Sequence, residues 1–128
     1  NLEKKFGFER ISEEGAYKAA CEEYVEAKMF YFYIKGKEVG KIDGLKLNLE
    51  SILGGLCDFT GELVRLAVNK ASEGKFKEVE KIKKAINEVM GELVEFNMAG
   101  YLRTKYDQAK GNLKKIEQIS YEIKIREK

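Results

Sequence analysis

The chain contains no proline in its 128 residues, so no position forbids a continuous helix. Four segments repeat apolar residues with the three- and four-residue spacing of a core-facing helix. They lie at about 12–35, 48–72, 76–96 and from 101 to near the C-terminus. Because short links join helices of this length, we expect an all-α, antiparallel helical bundle that spans residues 1–128 as one domain.

The first predicted helix carries an unusual core-facing seam. Ser12 is its expected N-cap. The carboxylate of Glu23 lies on this seam, which is unexpected because burial of an unpaired charge is costly. The segment at 36–46 is interpreted as a connector, since it lacks the lysine ending of a phosphate-binding loop and no strand precedes it. The seam is Ala16, Ala20, Glu23, Ala27, Phe30 and Ile34.

The composition excludes several kinds of catalysis. With no histidine, one chain can supply neither an imidazole base nor a Ser-His-Asp triad. A net charge of +2 gives no bulk attraction for nucleic acid, although a local basic surface remains compatible with it. Cys21 and Cys57 lie in apolar segments, so we expect free core thiols in a cytoplasmic protein. No apolar run is long enough to span a membrane, and we expect no membrane association.

Two pairs of acidic residues occur at helical spacing. Glu23 and Glu26 are three residues apart on the first helix, and Asp58 and Glu62 are four apart on the second. If the two helices are neighbours, the four carboxylates converge. Their mutual repulsion then raises some pKa values, and hard oxygen ligands without histidine suit Mg²⁺, Mn²⁺ or Ca²⁺. Gly61 lies between the second pair, where we expect close approach of a backbone or a ligand.

The alternative is an ordinary solvated surface. Arg65 can pair with Glu62, and Lys18 and Lys28 lie near the first acidic pair. Spacing alone favours this interpretation, because such acidic pairs occur on most exposed helix faces.

The sequence motifs in these segments resemble those of the translin and translin-associated factor X family. The run Glu23-Tyr24-Val25-Glu26-Ala27 resembles the Glu-Tyr-Val-Glu-Ala helix of the factor X branch, and residues 53–65 resemble its Leu-Leu-Gly-Val-Ala-Asp-Leu-Thr-Gly-Glu-Leu-Met-Arg run. The closing helix, with Lys115-Ile116-Glu117 and residues 121–126, is similar to that of both branches. The resemblance covers most of the chain. Family members usually have further helices before the first acidic pair, which are missing or shortened here.

The resemblance implies a function and a site. In the factor X branch the matching acids are catalytic, so Glu23, Glu26, Asp58 and Glu62 are the expected catalytic residues and ligands of Mg²⁺ or Mn²⁺. The implied activity is a metal-dependent endoribonuclease that acts on single-stranded RNA, with single-stranded DNA as a further ligand. The implied assembly is a homo-oligomer in the form of an octameric barrel. The short, lysine- and glutamate-rich chain further suggests a prokaryotic, archaeal homologue.

Four basic residues are the candidates for contacting nucleic acid: Arg10, Lys18, Lys28 and Arg65. The competing interpretation is a translin-like oligomer that binds a single strand and leaves it intact. A third is a plain helical oligomerisation domain whose acids are solvated and do not respond to metal.

Overall fold

The computed structural model describes the backbone of residues 2–37 and 49–127, and the side chains of residues 15–37 and 49–127. The described backbone forms four helices and contains no strand, so the predicted all-α class is confirmed. Within these ranges no helix is both long and apolar enough to cross a membrane. The predicted connector at 36–46 lies largely outside the described residues. The helices are α1 (Leu2–Ile34), α2 (Leu49–Ser72), α3 (Phe76–Leu93) and α4 (Gly100–Arg126).

The core forms where the spacing in α2, α3 and α4 predicts it. Phe59 and Leu63 of α2, Ile82 of α3 and Ile116 of α4 are fully buried. Burial of such side chains stabilises the fold by about 1.5–3 kcal/mol each. The end of α3 differs from the prediction by about three residues, as is common where a last turn frays.

Short links set the directions of three helices. Gly74, with a φ of +77°, turns the chain between α2 and α3, which therefore run antiparallel. The side chain of Ser120 in α4 donates a hydrogen bond to Glu80 near the start of α3, so these two helices are antiparallel as well.

Helix α1 runs parallel to α2, so the antiparallel arrangement predicted for consecutive helices does not hold for this pair. Lys18 Nζ lies 2.5 Å from Glu50 Oε1, and further along both helices Val25 faces Gly55. Residue numbers thus rise together along the two helices. Because of this register, the first acidic pair lies beside the second.

The predicted seam of α1 is wrong. Ala16, Ala20, Glu23 and Ala27 are exposed and Ile34 is 57% exposed, whereas Phe30 is half-buried. The buried residues of α1 are Cys21, Glu22, Val25 and Met29. The prediction of Ser12 as N-cap is also wrong, since the helix begins at Leu2. Apolar residues lie on several sides of α1, and its preferred face is decided by the shape of α2.

Gly54 and Gly55 give α2 the surface against which α1 packs. A Cβ atom on Gly55 would lie 2.5 Å from Val25 Cβ and 2.8 Å from the Glu22 carbonyl oxygen. A Cβ on Gly54 would lie 2.9 Å from the Glu22 carboxyl carbon. The close approach expected at Gly61 occurs at this pair instead, because a Cβ on Gly61 would meet only Asn112 Nδ2 at an ordinary 3.5 Å.

Candidate acidic site between three helices

The site is centred on Glu26, which projects from α1 towards two acids of α2. Burial raises the pKa of Glu26, and the negative charges of Asp58, Glu62 and Glu23 raise it further, while Lys105 opposes them. The four predicted carboxylates are therefore close enough to interact electrostatically. The repulsion predicted from their spacing is present at Glu26.

Lys105 of α4 carries the positive charge of the site. Its ammonium group donates a hydrogen bond to Asp58 Oδ2 at 2.6 Å and another to Glu22 Oε2. Tyr101, one turn earlier, donates from its hydroxyl to the same oxygen of Glu22 at 3.0 Å. One side chain of α4 thus links α1 to α2 by charge-assisted hydrogen bonds.

This network is mostly shielded from water. The side chains of Lys105 and Glu22 are 14% and 3% exposed, and Asp58 is 31% exposed. Burial opposes the ammonium charge of Lys105, but hydrogen bonds to Asp58, Glu22 and Tyr101 outweigh it and raise its pKa above the ordinary value. Glu22 Oε1 is buried without a hydrogen-bond partner among the described residues. The buried carboxylate therefore depends on Lys105 and Tyr101.

A cavity of about 540 Å³ opens beside the acids. Glu26 and Asp58 line one side of it, and α4 lines the other with the basic residue Lys115 and two amides. The neighbouring thiol of Cys57 is buried, and burial, with the charge of Asp58, raises its pKa to about 12. Cys21 and Cys57 are both free and buried, as predicted. The α4 residues of the cavity are Gln108, Gly111, Asn112 and Lys115.

The donor atoms suit a hard divalent cation, since Glu26, Asp58 and Glu62 offer carboxylate oxygens only. Among the described residues, however, no three Cys, Asp or Glu side chains are placed to share one ion. Asp58 is bonded to Lys105, and Glu62 Oε1 lies 3.5 Å from Arg65 Nη1. The residues fit a metal by chemistry and mutual repulsion, and two of them are engaged by basic side chains.

The predicted basic residues have separate surroundings. Lys18 pairs with Glu50 and lies 4.4 Å from the centre of the Tyr101 ring. Lys28 lies over the rings of Tyr24 and Phe32, at 5.8 Å and 5.6 Å. Arg65 is exposed near Glu62, and the side chain of Arg10 lies outside those described. Among the described side chains, Lys18, Lys28 and Arg65 thus each have different neighbours.

Sequence reasoning missed six residues of the site: Glu22, Tyr101, Lys105, Gln108, Asn112 and Lys115. The helical spacing selected Glu23, which is exposed, whereas the buried acid is its neighbour Glu22. Lys105 is 83 residues from Glu22 along the chain. No local pattern signals a pair this distant.

The raised pKa of Glu26 predicts a pH-dependent stability. The folded state binds the proton of the Glu26 carboxyl more tightly than the unfolded state does, so protonation of Glu26 stabilises the fold at low pH. This stabilisation is lost as pH rises through the folded-state pKa of Glu26. We expect Glu26→Gln to raise the melting temperature at pH 7 in the presence of a chelator, and to change it little at about pH 4. The matched control is Glu117→Gln on the exposed face of α4. Identical melting of wild type and Glu26→Gln at pH 7 would contradict the repulsion.

Fold and site together define an all-α bundle whose acidic site is formed by residues of α1 and α2. The family profile described as the Translin family matches residues 14–127, and the chain belongs to this family. Translin from Gallus gallus is 35% identical over 94 residues, and Translin from Homo sapiens is 33% identical over the same length. In each case the match covers 73% of this chain and 41% of the relative. The chain thus matches less than half the length of these curated relatives.

Two solved structures share the fold. One is AfC3PO, and the other is AfC3PO in complex with duplex RNA. Each is 30% identical to this chain with a TM-score of 0.79, and each match covers 98% of this chain and 69% of the other. The translin-type bundle predicted from the sequence is confirmed.

Proposed function

We propose that the protein is a metal-dependent endoribonuclease that binds and cleaves single-stranded RNA. The observation that carries the proposal is the raised pKa of Glu26 beside Asp58, Glu62 and Glu23, at the edge of a cavity. Like charges gathered at a cavity are costly unless a cation joins them. The family of the chain supports the proposal, and the complex of the similar protein AfC3PO with duplex RNA supports RNA as the class of ligand.

In this proposal Glu23, Glu26, Asp58 and Glu62 hold Mg²⁺ or Mn²⁺. The cation supplies Lewis-acid activation of the phosphodiester and of water. The chain itself orients the substrate: Lys115 lies where it can attract a phosphate, and the amides of Gln108 and Asn112 can donate hydrogen bonds to it. Arg10, Lys18, Lys28 and Arg65 remain candidate contacts for more distant parts of the strand.

The test is cleavage of a fluorescent single-stranded RNA, with Mn²⁺ and with chelator, by wild type, Glu26→Gln and Asp58→Asn. We expect metal-dependent cleavage by the wild type and a loss on the order of a hundredfold or more in both variants. The same sequence as a duplex measures the preference for single strands. Melting temperatures of all proteins separate loss of the site from loss of the fold.

Glu117→Gln is the control for charge removal, because Glu117 is exposed on α4 away from the cavity residues. It should retain full activity. Cleavage that persists in chelator, or that is equal in wild type and Glu26→Gln, would overturn the proposal.

A second candidate function is a non-catalytic oligomer that binds nucleic acid. The hydrogen bond from Lys105 to Asp58 favours it, because an acid already paired with an internal cation does not require a metal. The Translin name of the relatives is in keeping with it. Binding without cleavage that survives chelator and weakens with salt would select this candidate.

The proposal includes assembly of identical chains into an octameric barrel in the cytoplasm. A row of exposed apolar side chains on α1 supports an interface there, with Tyr17 66%, Tyr24 47% and Tyr31 52% exposed. The mass of the protein in solution measures the number of copies.

A further inference from the structure

We infer that Lys105 is an internal cation that sets the affinity of the acidic site for a divalent metal, by competing for the carboxylate of Asp58. The inference rests on the proposed function, since it concerns the same acids. It assigns to α4 a role in controlling a site whose acids all come from α1 and α2.

The geometry places Lys105 where competition is unavoidable. Its ammonium group lies 2.6 Å from Asp58 Oδ2, within the distance of a strong charge-assisted hydrogen bond. Asp58 also lines the cavity beside Glu26. One carboxylate thus belongs to both the buried ion pair and the acidic site. A metal that takes Asp58 as a ligand has to weaken or replace its bond to Lys105.

Lys105 is held in this position by more than Asp58. Its second bond goes to Glu22, which is nearly inaccessible to water, and its ammonium group lies 5.2 Å from the centre of the Tyr101 ring. When Asp58 is released, Glu22 can retain the ammonium group. Transfer of Asp58 from Lys105 to a metal therefore leaves no buried charge unpaired. An unpaired buried charge is the usual obstacle to breaking such an ion pair.

The same contact explains the arrangement of the acids without metal. Lys105 binds Asp58, and Arg65 neighbours Glu62, so two of the three carboxylates around Glu26 have basic partners. Within the described part of the chain, the acids are accordingly not assembled around a common centre. Removing the positive charge of Lys105 should free Asp58 and favour that assembly.

The experiment measures Mn²⁺ affinity directly, by titration calorimetry on the full chain. Because Lys105→Met alone leaves Glu22 buried and unpaired, the variant to use is Glu22→Gln combined with Lys105→Met, which preserves net charge. We expect it to bind Mn²⁺ on the order of tenfold more tightly than the wild type, the effect of losing one charge-assisted hydrogen bond. Glu22→Gln alone retains the competitor and should not bind more tightly.

Lys114→Met is the matched control, since Lys114 is exposed on the same helix. It should leave Mn²⁺ affinity unchanged. If the double variant and the wild type bind Mn²⁺ equally, the inference about Lys105 is overturned and the proposed function stands. If neither binds Mn²⁺, both are overturned. If the double variant binds more tightly but no protein cleaves RNA, the role of Lys105 is supported and only the nuclease proposal fails.

Discussion

Gly55→Ala is expected to lower the free energy of unfolding by about 3 kcal/mol, although alanine is the better helix former by about 1 kcal/mol. The new methyl group would lie 2.5 Å from Val25 Cβ and 2.8 Å from the Glu22 carbonyl oxygen. Neither atom can rotate away, so α1 has to move as a whole. Chemical denaturation, followed by circular dichroism, measures the change.

Two other glycines, Gly54 in α2 and Gly91 in α3, provide a graded comparison. At Gly54 the added methyl group would meet the carboxyl end of Glu22 at 2.9 Å, a side chain that can shift at the expense of its hydrogen bonds. Gly54→Ala should therefore cost less than Gly55→Ala. Gly91→Ala in α3 meets nothing within 4 Å and should stabilise the protein by up to about 1 kcal/mol. Equal stability of the Gly54 and Gly55 variants would contradict the proposed packing.

Lys105→Met is expected to destabilise the protein by about 3 kcal/mol, because it leaves the nearly inaccessible Glu22 without its cation. Asp58 loses the same partner but is partly exposed, so water can solvate it. Adding Glu22→Gln should recover most of the loss, since a neutral amide can keep the hydrogen bond from Tyr101. Denaturation of the two single variants and the double variant gives the coupling energy.

The raised pKa of Lys105 adds a pH signature to this pair. A cation whose pKa is higher in the folded state stabilises that state fully below the unfolded pKa, about 10.4, and the contribution declines as pH rises further. The wild type should therefore lose more stability above about pH 10 than the double variant does. Lys114→Met should follow the wild type. A coupling energy near zero, with parallel alkaline profiles, would contradict a structural ion pair.

Most of the fold was predictable because α2, α3 and α4 each have one face that is clearly more apolar than the rest. Helix α1 does not. Its alanines at 16, 20 and 27 have helical spacing but little surface to bury, while Val25 and Met29 on another side are larger. Spacing cannot choose between such faces. The choice is made by Gly55, whose missing side chain admits Val25 closely.

From the sequence, the proximity of the acids could be predicted, whereas their role as catalytic residues and metal ligands stays a prediction. Glu26, Asp58 and Glu62 could be grouped because their helical spacing and the sequence motifs of the family select the same residues. The electrostatic contribution of Glu23 to Glu26 agrees with that grouping, although Glu23 lies on the exposed side of α1. The roles of Lys105 and Glu22 depend on a contact between distant parts of the chain, which neither spacing nor composition encodes.

The way α1 is attached decides how the acidic site can be lost. Within the described ranges, the backbone of α1 comes close to α2 and to no other helix, and α4 reaches it through side chains. Local opening that releases α1 breaks its packing on α2 and its side-chain bonds to α4, but it leaves the packing among α2, α3 and α4 in place. Such an opening would remove Glu26 from Asp58 and Glu62 while most helical structure persists. Loss of the acidic site under mild stress would then precede global unfolding, with the protein still largely folded.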